Sequence, residues 1–186
     1  PALSGDFNGD GLTDLCLFDQ PSGTWKVSRS NGPNFQVGTS WLSGFGSTST
    51  APVLGDWDGD GRTDIATYSG GGWEFRRSTG SGFTATGAPP NLSFGSGTPL
   101  IGDFNGDGKI DLGTYNNGSW SVALGSGSSF SPTSSFTLSW GSSNDEPLTG
   151  DFNGDGLTDI GLANKSSGNI SVALSNGSSF AIQPTS

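Results

Sequence analysis

Residues 5–14 read Gly5-Asp6-Phe7-Asn8-Gly9-Asp10-Gly11-Leu12-Thr13-Asp14, and the D-x-N-G-D-G-x-x-D pattern they hold is written four times in 186 residues. The later copies begin at Asp56, Asp103 and Asp151, so successive copies lie 50, 47 and 48 residues apart. Near-constant spacing of this kind marks a repeat architecture. Thirteen of the 17 Asp and Glu residues sit in these loops: three each in copies one, three and four, and four in copy two, where Asp58 replaces Asn. The other four acids stand outside the loops, and the whole chain has seven Lys and Arg, five of them outside the loops. The net charge of −10 is therefore local, and it marks places for cations.

The spacing suits a hard ion. Ca²⁺ takes about six to eight oxygens at ~2.3–2.6 Å in a forgiving geometry. In the first loop the side chains of Asp6, Asn8 and Asp10 turn inward, Leu12 offers its backbone carbonyl, and Asp14 closes the cage. Gly11 supplies a bend that a residue without Cβ takes cheaply. The equivalent sets are Asp56, Asp58, Asp60, the Arg62 carbonyl and Asp64; Asp103, Asn105, Asp107, the Lys109 carbonyl and Asp111; and Asp151, Asn153, Asp155, the Leu157 carbonyl and Asp159. The expectation is four Ca²⁺ sites. Mg²⁺ demands stricter octahedral geometry and keeps its waters. Zinc and copper lack their usual ligands, since the chain has no His and one Cys.

An Asx-rich turn would account for a single copy, because Asp, Asn and Gly favour turns on their own. It does not account for four. Three or four carboxylates in one short turn repel each other, and only a cation offsets that. An EF-hand is excluded as well: it needs a bidentate Glu at loop position 12 and flanking helices. That position holds Leu17, Thr67, Thr114 and Leu162.

The flanks read as strands. Leu15-Cys16-Leu17-Phe18, Ile65-Ala66-Thr67-Tyr68, Leu112-Gly113-Thr114-Tyr115 and Ile160-Gly161-Leu162-Ala163 are short apolar runs bounded by Gly, Ser and Asn, the pattern of buried strands. Next come alternating sets: Trp25, Val27, Arg29; Trp73, Phe75, Arg77; Trp120, Val122, Leu124; and Ile170, Val172, Leu174. A period of two predicts a half-buried strand. Ten residues after each leading residue stands Phe35, Phe83, Phe130 or Phe180. An aromatic-Gly-Ser segment closes the first three repeats at Phe45, Phe94 and Trp140. Before each acidic loop lies a further apolar stretch, such as Pro52-Val53-Leu54. Each repeat therefore reads as four short strands, with the acidic loop joining the first to the second, and no segment carries a helical period. Tandem four-stranded units of this size predict an all-β fold, a β-propeller of four four-stranded blades.

The stretches at 5–11, 55–61, 102–108 and 150–156, with the Trp25-x-Val27-x-x-Ser30 and Asn176-Gly177-Ser178-Ser179-Phe180 runs, resemble the FG-GAP and VCBS repeats of integrin α-subunit propellers, some fungal lectins and bacterial toxin and surface proteins. The likeness spans essentially the whole chain. It implies a calcium-stabilised propeller used in adhesion, ligand display or sugar binding. The blade count departs from the family, whose familiar members have seven; a closed ring of four is allowed, since propellers run from about four to eight blades.

One domain is expected over 1–186, with repeats at 1–50, 51–97, 98–145 and 146–186. The fourth repeat has no aromatic-Gly-Ser segment, so its sheet is expected to keep an open edge that invites another strand. Either a segment outside these 186 residues or a neighbouring copy is expected to complete that blade, and in the second case head-to-tail assembly gives a filament when the contact does not close. The chain holds no Met, so residue 1 is read as the start of a processed chain or a fragment.

Other classes recede. No apolar run of membrane-spanning length exists, so membrane insertion is not expected. There is no His, no G-x-S-x-G elbow and no P-loop, which argues against an enzyme. Nucleic acid is disfavoured by the net charge of −10. Weak calcium sites suit millimolar extracellular calcium, so a secreted or cell-surface module is expected. Cys16 aligns with Ala66, Gly113 and Gly161 and reads as a small buried strand residue. Five Asn-x-Ser sequons, at Asn91, Asn117, Asn164, Asn169 and Asn176, are candidates for N-glycosylation. Two functions fit. One is a structural or adhesive module that meets a protein or glycan ligand at the cell surface, or a second copy of itself. The other is a lectin whose sugars stack on Trp41, Phe94 or Trp140; packing between blades competes for the same aromatics.

Overall fold

The computed structural model describes residues 1–132 and 136–184. The chain forms two compact units, Pro1–Leu92 and Ser93–Ser186, each holding two repeats. The named elements are all strands. In the first unit, sheet one runs β1 (Ala2–Gly5), β2 (Asp14–Asp19), β3 (Thr24–Ser28), β4 (Thr39–Leu42), and sheet two runs β5 (Ala51–Gly55), β6 (Asp64–Ser69), β7 (Gly72–Ser78), β8 (Phe83–Thr84), with β9 (Leu92–Ser93) also paired to β7. In the second unit, sheet three runs β10 (Thr98–Gly102), β11 (Asp111–Asn116), β12 (Ser119–Gly125), β13 (Phe130–Ser131), with β14 (Thr137–Ser139) also on β12. Sheet four runs β15 (Asp145–Gly150), β16 (Asp159–Asn164), β17 (Ile170–Ser175), β18 (Phe180–Ile182). All four are antiparallel meanders.

Local chemistry sets the connections. The acidic loop joins the first two strands of each sheet, and its ends pair as Gly5 with Asp14, Gly55 with Asp64, Gly102 with Asp111 and Gly150 with Asp159. The next hairpin of sheet three turns on Asn117 (φ 48°) and Gly118 (φ 92°). Both residues are left-handed, as a two-residue turn that matches strand twist requires.

The fourth strand differs from expectation. In sheets two and three it is broken into two short pieces that pair with opposite ends of the third strand: β13 with Leu124 and Gly125, β14 with Ser119, Trp120 and Ser121. Sheet one shows the same division, as a bridge from Ser30 to Phe35 followed by β4. Pro89 and Pro90 in sheet two and Pro132 in sheet three lie between the pieces, and a residue without an N–H cannot continue a ladder. In sheet four β18 pairs only with Ala173, Leu174 and Ser175. On the side away from β16, no strand among the described residues pairs with Ile170 and Ser171.

The core is built from the repeated aromatics. Trp25, Trp73 and Trp120 are at most 1% exposed. Trp25 stacks on Phe18 with centroids 4.2 Å apart, and its Nε1 donates to the Phe45 carbonyl at 2.9 Å. Trp120 packs on Tyr115 and donates in the same way to the Trp140 carbonyl at 2.9 Å. The second strands are covered unequally. β6 and β11 are buried on both faces from Asp64 to Tyr68 and from Asp111 to Tyr115, whereas β2 alternates, with Leu15 45% and Leu17 53% exposed. The apolar run at 15–18 is thus a half-buried strand, since nothing in its own unit covers its second face.

Within each unit one contact recurs. The Thr63 N–H donates to the Asp6 carbonyl at 2.6 Å, and the Ser78 hydroxyl to the Phe7 carbonyl at 2.6 Å. In the second unit Thr158 reaches Asp103 at 2.7 Å and Ser175 reaches Phe104 at 2.7 Å. Phe83 meets Phe7 edge-on at 5.9 Å, and Phe180 meets Phe104 edge-on at 5.9 Å.

Candidate metal centres

All four loops share one geometry. In the first, the N–H groups of Gly9 and Asp10 donate to Asp6 Oδ1 at 2.7 and 3.2 Å, and that of Gly11 to Asp6 Oδ2 at 2.8 Å. Asp56, Asp103 and Asp151 gather the same three donors. The bend needs two left-handed residues, not one: Gly9 and Gly11 have φ of 78° and 81°, and the other loops repeat the pair. The residues expected to ligate through their carbonyls, Leu12, Arg62, Lys109 and Leu157, are fixed by N–H donation to Asp10, Asp60, Asp107 and Asp155 at 2.9–3.0 Å. At the third position Asn8 and Asn153 accept from Asp10 and Asp155 N–H, as Asn105 does from Asp107.

The last acid has a second duty that the spacing did not reveal. Asp14, Asp64, Asp111 and Asp159 are 0% exposed. Each carboxylate spans two strands: Asp14 accepts from Phe7 N–H at 3.1 Å and Ser30 N–H at 2.7 Å, and Asp64 from Trp57 at 3.0 Å and Ser78 at 2.6 Å. Burial pushes the Asp64 carboxyl up to about 7 and Asp111 to about 6, although both backbone donors pull the other way. Asp151, at the open end of its loop, is held below the ordinary carboxylate range, chiefly by the Gly156 N–H. Carboxylate oxygens carry two lone pairs each, so these hydrogen bonds leave acceptor capacity facing the loop.

The fit to a cation is best in loop two. One oxygen each from Asp56, Asp58 and Asp64 lies within 4.8 Å of the others. Two ligands of a Ca²⁺ ion at its usual contact distance stand at most about 5 Å apart, so this trio fits one ion. Asp60 lies outside the trio and meets basic residues: Arg77 Nη2 is 3.0 Å from its Oδ2 and Arg62 Nη2 is in contact with it. Arg77 Nε also lies 3.0 Å from Asp58 Oδ2. In loop three Lys109 Nζ stands 3.5 Å from Asp107. Among the described residues no ion pair reaches loops one and four. Leu124 and Leu174 take the place of Arg77 in repeats three and four, and Arg29, which takes it in repeat one, donates to Gln36 Oε1 at 3.0 Å.

The aromatics named for sugar stacking are placed unequally. Trp41 is partly buried against Phe83, with centroids 5.4 Å apart, and belongs to the core of the first unit. Phe94 is partly buried. Trp140 is partly exposed and lines a 540 Å³ cavity with Asn117, Ser119 and Ser139. Its counterpart Phe45 is closed over by Arg76, whose guanidinium lies 4.3 Å from the ring centre. Ala173 stands where Arg76 would be, and it is too short to cover Trp140. Of the sequon residues, Asn91, Asn117, Asn169 and Asn176 are exposed, while Asn164 is partly buried and holds Asp145 at 2.7 Å.

A family model described as FG-GAP-like repeat matches residues 6–67, 56–114 and 103–162. No curated protein sequence matches the chain. Among solved structures, a lectin of Agrocybe aegerita that recognises non-reducing terminal N-acetylglucosamine is similar, with a TM-score of 0.75 and 21% identity, over 98% of this chain and 52% of that one. The Tc holotoxin pore of Photorhabdus luminescens is similar with a TM-score of 0.68 and 16% identity, over 91% of this chain and 8% of that one. The chain thus spans about half the length of the lectin. At these identities the likeness concerns fold.

Proposed function

The chain belongs to the FG-GAP-like repeat family, and from that premise we propose that it is a calcium-stabilised segment of a β-propeller that works by contact and not by catalysis. The observation that carries this reading is the acidic loop, repeated four times with one hydrogen-bond scheme and, in loop two, with three carboxylate oxygens gathered to the separation that one Ca²⁺ ion requires. Calcium, when bound, would supply two positive charges that offset the mutual repulsion of each loop's carboxylates. The protein's residues do the rest: the glycine pair bends the loop, the first Asp collects the amides, and the buried last Asp ties the loop to the third strand. Calcium affinity then becomes folding free energy. The module is proposed to act outside the cell, where calcium is plentiful, as a structural or adhesive unit meeting a protein or glycan ligand. The incomplete edge of sheet four gives it a place for self-association. Among the described residues no helix is long and apolar enough to cross a membrane. Native mass spectrometry in calcium and in chelator tests the metal: four bound ions are expected, and a melting temperature unmoved by chelator would sink the reading.

A second reading, lectin activity, is favoured by Trp140. Trp140 packs on Trp120 and is partly exposed beside Asn117, Ser119 and Ser139, so the exposed part of its ring, with hydroxyl and amide partners, offers what a sugar ring takes. A glycan array with N-acetylglucosamine-terminated glycans tests it. Binding should disappear in Trp140→Ala, and a flat array would leave the structural role alone.

A further inference from the structure

Within each unit the last Asp of one acidic loop is tied to the last Asp of the other. In the first unit the Phe7 N–H donates to Asp14 Oδ2 at 3.1 Å, and the Phe7 carbonyl accepts from the Ser78 hydroxyl at 2.6 Å. The Ser78 N–H in turn donates to Asp64 Oδ1 at 2.6 Å. The backbone of one phenylalanine and a single serine thus join the closing carboxylates of loops one and two. The second unit repeats the relay. The Phe104 N–H donates to Asp111 at 2.9 Å, the Ser175 hydroxyl to the Phe104 carbonyl at 2.7 Å, and the Ser175 N–H to Asp159 at 2.7 Å. Every member of both relays is at most 5% exposed.

The serine hydroxyl is not needed to hold the acid of its own loop. Gly125 takes the matching place in sheet three, and its N–H holds Asp111 at 2.7 Å although it has no hydroxyl. Two further contacts run beside each relay. Thr63, between the expected carbonyl ligand Arg62 and Asp64, donates its N–H to the Asp6 carbonyl at 2.6 Å, as Thr158 does to Asp103 at 2.7 Å. The Arg62 side chain lies over Gly9, where a Cβ would stand 3.0 Å from its Cγ, and a Cβ on Gly106 would stand 2.5 Å from the Leu157 side chain.

We propose that these relays couple the loops in pairs, one with two and three with four, so that filling either loop of a pair raises the calcium affinity of the other. The coupling rests on the calcium reading above, and Ser78 and Ser175 are its positioning residues. The carboxylates of an empty loop repel each other, and an ion that offsets the repulsion fixes the last Asp. Fixing Asp14 holds the Phe7 backbone, which holds the acceptor of the Ser78 proton and with it the N–H that orients Asp64. The second ion then meets a cage that is already partly ordered, so it loses less conformational entropy on binding. Polarisation along a buried hydrogen-bonded chain acts in the same sense. Repulsion between the two ions has the opposite sign.

A calcium titration of the isotope-labelled full chain by nuclear magnetic resonance reads each loop separately. The reporters are the Gly11, Gly61, Gly108 and Gly156 N–H groups, each of which donates to the first Asp of its own loop. Asp10→Ala disables loop one at an exposed position, and the calcium needed to half-fill loop two is expected to rise about fivefold or more. Asp60→Ala should shift loop one by the same factor, because coupling between binding sites is reciprocal. In Asp60→Ala, filling loop one should also slow hydrogen exchange at the Ser78 amide. Ser78→Gly, which copies Gly125, should abolish both affinity shifts, and Ser78→Thr, which keeps the hydroxyl, should restore them. A shift caused only by the lost charge would survive Ser78→Gly. Asp107→Ala with Ser175→Gly repeats the test in the second pair, should Ser78→Gly fail to fold. Loops that fill independently, a second ion that binds more weakly, or shifts that survive the serine variants would overturn the coupling and leave the calcium reading intact. Glycine signals unmoved by calcium in every loop would sink both.

Discussion

Sheets two and four carry the same repeat and are treated differently by the rest of the molecule. In sheet two, Trp57, Tyr68, Trp73 and Phe75 are all at most 4% exposed, and loop two sets four carboxylates against Arg62 and Arg77. In sheet four, Phe152 and Ile170 are half exposed or more, and loop four holds three carboxylates with no ion pair among the described residues. The hairpins are the same, so local sequence decides the strands. Neighbours decide what those strands are worth in stability, as expected where each repeat contacts only the next.

Calcium removal should open this difference widest. A ligand present at a hundredfold excess over its Kd stabilises by about 2.7 kcal/mol per site. Chelation is expected to lower the melting temperature sharply, and hydrogen exchange should show β16 and β17 losing protection before β6 and β7. Equal loss would break the comparison, because it would mean the arginines do nothing for loop two.

Core truncation comes next. Phe104→Ala empties a fully buried position and should cost about 3–5 kcal/mol in denaturant unfolding, whereas Phe152→Ala should cost less than about 1 kcal/mol in the monomer. The anchoring carboxylates give a smaller contrast. Asp64→Ala strands the buried N–H groups of Trp57 and Ser78, at about 1–3 kcal/mol each at most. Asp159→Ala should cost less, since its Phe152 partner is only part-buried. Arg77→Ala should cost under about 1 kcal/mol in calcium, as for other partly exposed ion pairs, and more in chelator, where among the described residues the arginine is the counter-charge paired with Asp58. The smallest effect is chemical. Burial pushes the Cys16 thiol up to about 12, so it should stay protonated and resist thiol reagents at pH 8 until the protein unfolds.

Much of this was legible in the sequence. The loop pattern located the acidic turns, the period of two located the third strands, and the repeated Trp positions located the cores. The illegible parts depend on contacts remote in sequence. Leu15 and Ile65 are alike as apolar strand residues, yet one is exposed and the other buried, because only Ile65 has a sheet laid against it. The split fourth strand escaped notice because its pieces are two or three residues long, too short for any period to show. At the site, the ligand positions were readable from spacing, but the bond from Asp14 to Ser30 was not. It crosses from the second strand to the far end of the third, a link that exists only once the hairpin has formed.

The recurring contact between sheets has a consequence on the scale of inheritance. Each repeat carries the donors that face its predecessor and the acceptors that face its successor, so a tandem duplication delivers a unit already fitted to both neighbours. Lineages can therefore lengthen or shorten such a gene by whole repeats with little repair at the joins. Trp57 on one sheet and Ile110 with Gly125 on another have drifted from the residues that the other sheets share at those positions.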